Sequence, residues 1–151
     1  MCVVGLYVAP KAGAPMERRA SIDVEPGAGA EGDRYREGTG HWSDPRWPDQ
    51  ELTLFEEETA DALGLDAALL RRNVVTRGVH LAELVGRDLR LGPVFVHAVR
   101  HCDPCQYLED LLGRPGLRAA LEGRGGLRVA VVSAGRIAVG DEVSPSRPTP
   151  S

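Results

Sequence analysis

The stretch Arg71-Arg72-Asn73-Val74-Val75-Thr76-Arg77-Gly78-Val79 places a short β-branched run between charged residues and a glycine. β-Branched residues bounded in this way are typical of a buried strand. We therefore predict a strand over residues 73–76. The sequence on both sides predicts further short strands.

Upstream of this stretch, three segments favour strands, at residues 3–9, 18–24 and 51–55. The first is stopped by Pro10, and the second alternates apolar with polar residues before Pro26-Gly27 breaks it. Residues 27–50 form the longest irregular stretch and contain both tryptophans. A loop of that length inside a compact domain is usually functional or mobile.

Downstream, the pattern predicts strands at residues 88–91, 94–101, 127–133, 136–139 and 142–143. Short helices are expected at residues 56–63, 66–70, 81–85, 103–112 and 117–121. Short strands in this number, without a regular βαβ alternation, favour a mainly antiparallel sheet. The predicted fold class is therefore mainly β, a closed antiparallel β-barrel with a few short α-helices.

Length and charge limit the classes of protein to which the chain can belong. A chain of 151 residues is the usual length of one domain. We expect that domain to cover residues 1–144, followed by a disordered, proline-rich tail at 145–151. The net charge of -4, from 18 basic and 22 acidic residues, gives no broad basic surface for nucleic acid.

The sequence also predicts a cytoplasmic protein without a membrane partner. No stretch approaches the roughly 18 to 20 apolar residues needed to cross a bilayer, and the N-terminus lacks the pattern of a signal peptide. The three cysteines, Cys2, Cys102 and Cys105, are odd in number, so a disulfide framework is not expected. Reduced thiols are the prediction.

Cys105 is the best candidate for a reactive side chain. Asp103 is a good N-cap and Pro104 suits the first helical position, which places Cys105 in the first turn of a predicted helix. The helix dipole lowers the pKa of a thiol there and Arg100 can add to this, while Asp103 and Glu109 act in the opposite direction. Glu109 lies on the same helical face, where it could shuttle a proton or orient a ligand.

Other interpretations of these cysteines stay open at this point. Free cysteines are among the most buried residues, and this holds especially for Cys2 and Cys102. Cys102-x-x-Cys105 with His97 and His101 nearby is compatible with structural zinc, but a second ligand pair at typical spacing is missing. A thioredoxin-like redox motif would need a βαβ context that the pattern does not show.

The stretch HCDPCQYLE (residues 101–109) resembles the cysteine motif of MOSC domains, in which the second cysteine is the functional thiol. Residues 31–34 resemble the Gly-Asp turn of that family, and residues 71–79 its "RRN-[IV]-V-T-x-G" segment. Residues 135–143 are similar to the closing "G-x-[IV]-x-x-G-D" strands of the family. These landmarks extend from Val4 to Val143 and imply a closed β-barrel decorated with helices, like the barrel of pyruvate kinase.

The resemblance also implies cofactor chemistry. MOSC domains occur in molybdenum cofactor sulfurases, in amidoxime-reducing enzymes and in bacterial proteins that detoxify N-hydroxylated bases. There the motif cysteine carries sulfur or ligates molybdenum, and a thiolate is a soft ligand suited to either task. The implied cofactor is the molybdenum cofactor (molybdopterin), with Cys105 as the metal ligand.

The resemblance assigns the remaining site residues by position. Arg72 and Asn73 fall where cofactor-binding members contact the pterin and its phosphate, and Thr76 lies on the same segment. Asp33 and Arg34 line the same cleft or cap a turn. Arg72 could also be an exposed charge and Asn73 a turn former. The loop residues His41, Trp42 and Trp47 form a lid or pack locally.

Three hypotheses for function follow. In the first, a pterin-bound molybdenum held by the Cys105 thiolate reduces small N-hydroxylated compounds with electrons from a separate donor protein. In the second, Cys105 carries persulfide sulfur received from a cysteine desulfurase. In the third, a small barrel without enzymatic activity binds a phosphorylated metabolite, and Cys105 is part of the core.

Overall fold

The computed structural model of the protein describes residues 1–8, 17–26, 29–30, 52–65, 72–102, 113, 115–120 and 125–145. This part of the chain is mainly β, as predicted. Its strands are β1 (Cys2–Val8), β2 (Glu17–Arg19), β3 (Ser21–Glu25), β4 (Gly29–Ala30), β5 (Leu52–Glu56), β6 (Val74–Arg77), β7 (Asp88–Leu91), β8 (Val94–His101), β9 (Leu127–Val131), β10 (Gly135–Ala138) and β11 (Val143–Pro145). Two short helices, α1 (Glu57–Leu63) and α2 (Leu117–Ala120), and a 3-10 turn at Leu81–Leu84 complete the described elements.

The strands form two sheets. The larger has eight strands in the order β11-β7-β8-β9-β5-β6-β1-β2, and the smaller has three in the order β10-β3-β4. Strands β5 and β6 pair in parallel, with Leu54 opposite Val74, and α1 lies in the connection between them. The other described strand pairs are antiparallel. The carboxyl ends of β5 and β6 therefore share one edge of the sheet and their starts share the other.

The predicted closed barrel is wrong, because the large sheet is a strongly curled half-barrel whose end strands, β11 and β2, do not pair with each other. Strand β2 carries only exposed charged residues, and side chains of this kind protect a sheet edge from further pairing. The small sheet contributes Ile22, Val24 and Ile137 to the main core. An isolated bridge between Cys2 and Glu142 joins the start of β1 to the residue before β11.

Side chains on the two faces of the large sheet belong to different apolar clusters. The concave side holds the main core, to which β5 contributes Leu52 and Leu54 and β9 contributes Leu127 and Val129. A second cluster lies on the other face, beneath the two helices, and contains Tyr7, Phe55, Ala60, Val75 and Leu117. The alternation along β5 explains this division, since successive side chains of a strand point to opposite faces.

On the described residues the other predicted elements are reproduced closely, with two exceptions, of which the first is β4, inside the stretch predicted to be irregular. Residues 18–24 were predicted as one strand, but the chain bends at Ala20 and divides into β2 and β3. Strand β2 pairs with β1, while β3 pairs with β10 in the small sheet. A pattern within one segment does not show that its two halves have different partners.

Several predictions fall outside the described residues. They are the helices at 66–70 and 103–112, most of the loop at 27–50, and nearly all of the tail at 145–151. Among the helices that the structure does describe, none has the length and apolar character required to cross a bilayer.

Candidate functional site

Asn73 connects three strands in the interior. Its side chain has no exposed surface. Its Oδ1 atom accepts hydrogen bonds from the backbone N and the Oγ1 of Thr53, both at 3.1 Å, and its Nδ2 donates to the carbonyl of Tyr7 at 3.2 Å. The Asn73 backbone N donates in turn to Thr53 Oγ1 at 3.0 Å. Asn73 therefore links β1 and β5 immediately before β6 begins.

The glycine turn formed by Gly125 and Gly126 joins Arg72 to the end of β8. Arg72 Nε donates a hydrogen bond to the carbonyl of Gly125 at 3.1 Å. The carbonyl of Gly126 accepts a hydrogen bond from the backbone N of Cys102 at 2.8 Å. Cys102 is the last described residue before the predicted cysteine motif continues. Arg72 and the start of that motif thus contact the same two-residue turn.

The backbone of Gly126 has a conformation that excludes other residues. Its φ angle is +95°, a region that side chains with a Cβ rarely adopt. A Cβ atom at this position would overlap the Leu54 carbonyl oxygen and lie 3.0 Å from the Leu54 carbonyl carbon. Because these are backbone atoms of β5, they cannot move aside as a flexible side chain would. The glycine turn is consequently packed tightly against the central strand.

Two further arginines lie on neighbouring strands of the large sheet. Arg128 of β9 is only 7% exposed, and its Nε and Nη1 atoms are buried. It stands opposite Arg100 of β8 in one direction and opposite Thr53 of β5 in the other. Arginine is rarely buried to this extent unless an opposite charge accompanies it. Arg100 and Arg128 thus lie in one row with Thr53, while Arg72 directly precedes Asn73, the hydrogen-bond partner of Thr53.

Thr76 does not lie with these residues. It is four residues beyond Arg72, which corresponds to about 13 Å in an extended chain. Its side chain is buried, with Oγ1 at 3.4 Å from the Phe55 carbonyl oxygen, toward the carboxyl end of β5. The structure thus brings Arg72 and Asn73 together but holds Thr76 nearer the opposite edge. A contact of Thr76 or of Asn73 with a cofactor stays a prediction.

The remaining residues of the predicted site lie outside the described part of the chain. They are Cys105, Glu109, Asp33 and Arg34, together with the loop residues His41, Trp42 and Trp47. The described residues that flank Cys105 are Cys102 on one side and Gly113 on the other.

The described residues give no support to the zinc interpretation. Within the described ranges, no group of three or more His, Cys, Asp or Glu side chains is arranged to hold a metal. His97 instead contacts Asp88, with Nδ1 and Oδ1 2.7 Å apart, and Cys102 is 1% exposed. Cys102 is therefore a core residue, as its type predicts, whereas Cys2 is half-buried.

Sequence reasoning missed three residues that shape this region, namely Thr53, Gly126 and Arg128. Two of them carried a usable signal: Gly126 belongs to a Gly-Gly pair before a strand, and Arg128 interrupts an apolar strand. Thr53 carried none, because its partner Asn73 is 20 residues away.

Comparison with known proteins assigns the fold to a family. The model of the MOSC domain matches residues 47–144, about two thirds of the chain. The chain belongs to the MOSC family. No curated protein sequence matches it significantly.

Solved structures with a similar fold include three bacterial proteins. YuaD of Bacillus subtilis superposes with a TM-score of 0.74 at 19% identity, covering 93% of this chain and 92% of that one. YiiM of Geobacillus stearothermophilus gives a TM-score of 0.74 at 17% identity, over 97% of this chain and 75% of that one. YiiM of Escherichia coli gives 0.71 at 15% identity, over 100% and 72%. At these identities the similarity establishes the MOSC fold alone.

Proposed function

We propose that this MOSC protein binds the molybdenum cofactor, with the Cys105 thiolate as a metal ligand and Arg72 as a phosphate ligand. We further propose that it reduces small N-hydroxylated compounds with electrons from a separate donor protein. The observation that carries the proposal is the glycine turn, which contacts both Arg72 and Cys102. The start of the cysteine motif and the arginine thus contact the same two residues.

Chain connectivity adds a limit on distance. Cys105 follows Cys102 by three residues, and three peptide units span at most about 11 Å. Because Cys102 is hydrogen-bonded to Gly126 and Arg72 to Gly125, the thiol is tethered within reach of a ligand that also contacts Arg72. A phosphorylated pterin with a metal is large enough to contact both groups.

The described residues fit the phosphate of such a cofactor. Guanidinium groups present several donors in a planar fork that matches phosphate oxygens. The buried Arg128, the half-buried Arg72 and the exposed Arg100 are the proposed donors. The attraction of the buried Arg128 to an anion is strengthened by the lower local dielectric.

Asn73 supports this site through the backbone. Its amide is already engaged by Thr53 and Tyr7. Its strongest contribution is thus to fix the backbone on which Arg72 is carried. Asp33, Arg34 and Thr76 are proposed as further cofactor contacts on the resemblance alone.

When bound, the cofactor would supply a metal centre that exchanges electrons with the substrate. Reduction of an N-hydroxyl group to an amine takes up two electrons and two protons and releases one water molecule. In this proposal Cys105 holds the metal through its sulfur, the arginines hold the anionic end, and Glu109 transfers a proton near the thiolate.

The test is retention of metal by a cysteine variant. The wild-type protein and the Cys105→Ala variant are produced in a host that makes the cofactor, and molybdenum is measured by elemental analysis together with the fluorescence of the oxidised pterin. We expect molybdenum in the wild type and its loss in Cys105→Ala. Cys2→Ala is the matched control, because Cys2 pairs with Arg77 at the opposite end of β6. Full molybdenum content in Cys105→Ala would contradict the proposal.

The three arginines support a second candidate as well, the binding of a phosphorylated metabolite without redox chemistry. The two candidates differ in the role of the thiol. If a metabolite is the ligand, Cys105→Ser leaves phosphate binding unchanged and the wild type contains no molybdenum under the same conditions.

A further inference from the structure

We propose that the glycine turn, Gly125–Gly126, is a positioning element that holds Arg72 and the start of the cysteine motif as one unit. The inference rests on the proposed function in one respect, the assignment of an anion to Arg72. It adds a residue, Gly126, which neither the family match nor the sequence motifs assign to the site.

The glycine turn has little freedom to move. A Cβ at Gly126 would overlap the Leu54 carbonyl and lie 3.3 Å from Phe55 Cα, both on the backbone of β5. Leu54 is itself fully buried and pairs with Leu127 and Val74 on its two sides. The turn therefore rests on a buried part of β5 that has paired strands on both sides.

Consecutive carbonyl groups of the glycine turn accept hydrogen bonds from two separate segments. Gly125 O accepts from Arg72 Nε at 3.1 Å, and Gly126 O accepts from Cys102 N at 2.8 Å. A displacement of the turn changes both hydrogen bonds at once, because one peptide unit joins the two residues. The position of the Arg72 guanidinium is thus coupled to that of Cys102.

Anchoring of Arg72 by the glycine turn should strengthen anion binding. An arginine whose Nε is already held by a hydrogen bond loses less side-chain entropy when an anion binds to it. Loss of the anchor should weaken binding even though the charge of Arg72 is unchanged. Gly126 would then influence affinity without touching the ligand.

The test compares two glycine variants in the full-length protein. Gly126→Ala and Gly140→Ala both place a side chain at nearly the same φ angle, +95° and +96°. A Cβ at Gly140 meets nothing within 4 Å, so this control carries the backbone strain without the overlap. Three quantities are measured by NMR: the affinity for inorganic phosphate, and the hydrogen exchange of Arg72 Nε–H and of the Cys102 amide.

We expect Gly126→Ala to weaken phosphate binding and to accelerate both exchange rates by about fivefold or more, as the loss of one hydrogen bond implies. Gly140→Ala should stay within about twofold of wild type. Unchanged exchange at Arg72 and Cys102 in Gly126→Ala would overturn the inference. If wild type does not bind phosphate but both exchange rates respond to Gly126→Ala alone, the positioning role is supported and the phosphate assignment fails.

A second pair of variants decides the matter if Gly126→Ala does not fold. Arg72→Ala removes the donor to Gly125 and should accelerate exchange of the Cys102 amide. Arg77→Ala is the control, because Arg77 lies at the other end of β6 and bonds to Glu57 and Asp61. Equal Cys102 exchange in Arg72→Ala and wild type would overturn the inference.

Discussion

Asn73 accepts two hydrogen bonds from Thr53 at a single oxygen atom and returns one from its backbone N to the Thr53 hydroxyl. Both residues are buried, with exposures of 0% and 1%. The pair therefore fixes the starts of β5 and β6 relative to each other. Arg72 directly precedes Asn73, so this buried polar pair also fixes the position of the Arg72 backbone.

Replacing Asn73 with alanine should destabilise the fold strongly. The change leaves buried donors of Thr53 and the Tyr7 carbonyl without their partner, which predicts a loss of about 2–4 kcal/mol in the free energy of unfolding. Urea unfolding of the protein without cofactor measures it. Ser133→Ala is the control, since its hydroxyl accepts from Phe95 N at the surface and its loss should cost under about 1 kcal/mol. A loss equal to that of the control would show that the network contributes little.

Replacing Arg128 with methionine should lower both stability and phosphate affinity. Methionine keeps much of the side-chain volume, but Arg128 takes part in an interaction in the folded protein, and its removal leaves the partner group unsatisfied. We expect the free energy of unfolding to fall by about 1–3 kcal/mol and phosphate affinity to fall about tenfold. Calorimetry measures both quantities. Arg136→Met, at an exposed arginine bonded to Asp23, should leave the affinity unchanged. Undiminished affinity in Arg128→Met would exclude Arg128 from the anion site.

Replacing Glu56 with glutamine should stabilise the protein at neutral pH. Burial raises the pKa of the Glu56 carboxyl above its ordinary 4.5, and the nearby charges of Glu58 and Glu83 add to this rise, while the Leu81 backbone N–H opposes it. A carboxyl with a raised pKa in the folded state costs stability once the pH exceeds that pKa, and costs none well below the ordinary value. Glutamine is uncharged at either pH.

The melting temperature of Glu56→Gln should therefore exceed that of wild type at pH 7, and the difference should shrink as the pH approaches 4. Glu142→Gln serves as the control, because it changes the net charge equally at an exposed position. A gain at pH 7 that persists unchanged at pH 4 would rule out ionisation of Glu56 as its cause.

Much of the fold could be predicted because the strands carry local signals. The alternation in residues 51–55 and the β-branched run in residues 73–76 each identified a strand within one residue of its bounds. That the sheet stays open could not be predicted, since local patterns do not show that the charged β2 lacks a pairing partner on its outer side among the described strands. The bend at Ala20 sends the chain into a second sheet, and only long-range pairing with β10 reveals this.

The candidate site was predictable where it follows a motif and unpredictable where it depends on packing. Arg72 was found from the motif, and in the structure its side chain donates a hydrogen bond to the glycine turn. Asn73 was found for the same reason, but its enclosure between Thr53 and Tyr7 requires strands that are distant in sequence. The enclosure of Arg128 depends on neighbours in β5 and β8, so composition alone could not distinguish it from an exposed arginine.

The parallel pairing of β5 with β6 has a consequence for how new specificities can arise on this scaffold. Both strands begin at the same rim, so the segments that lead into Leu52 and Arg72 are attached side by side. Changes in either segment alter the surface at that rim, whereas the glycine turn lies toward the opposite rim, because β9 runs antiparallel to β5. A designer who wishes to retarget the domain should diversify the two entry segments together and keep the glycine turn unchanged.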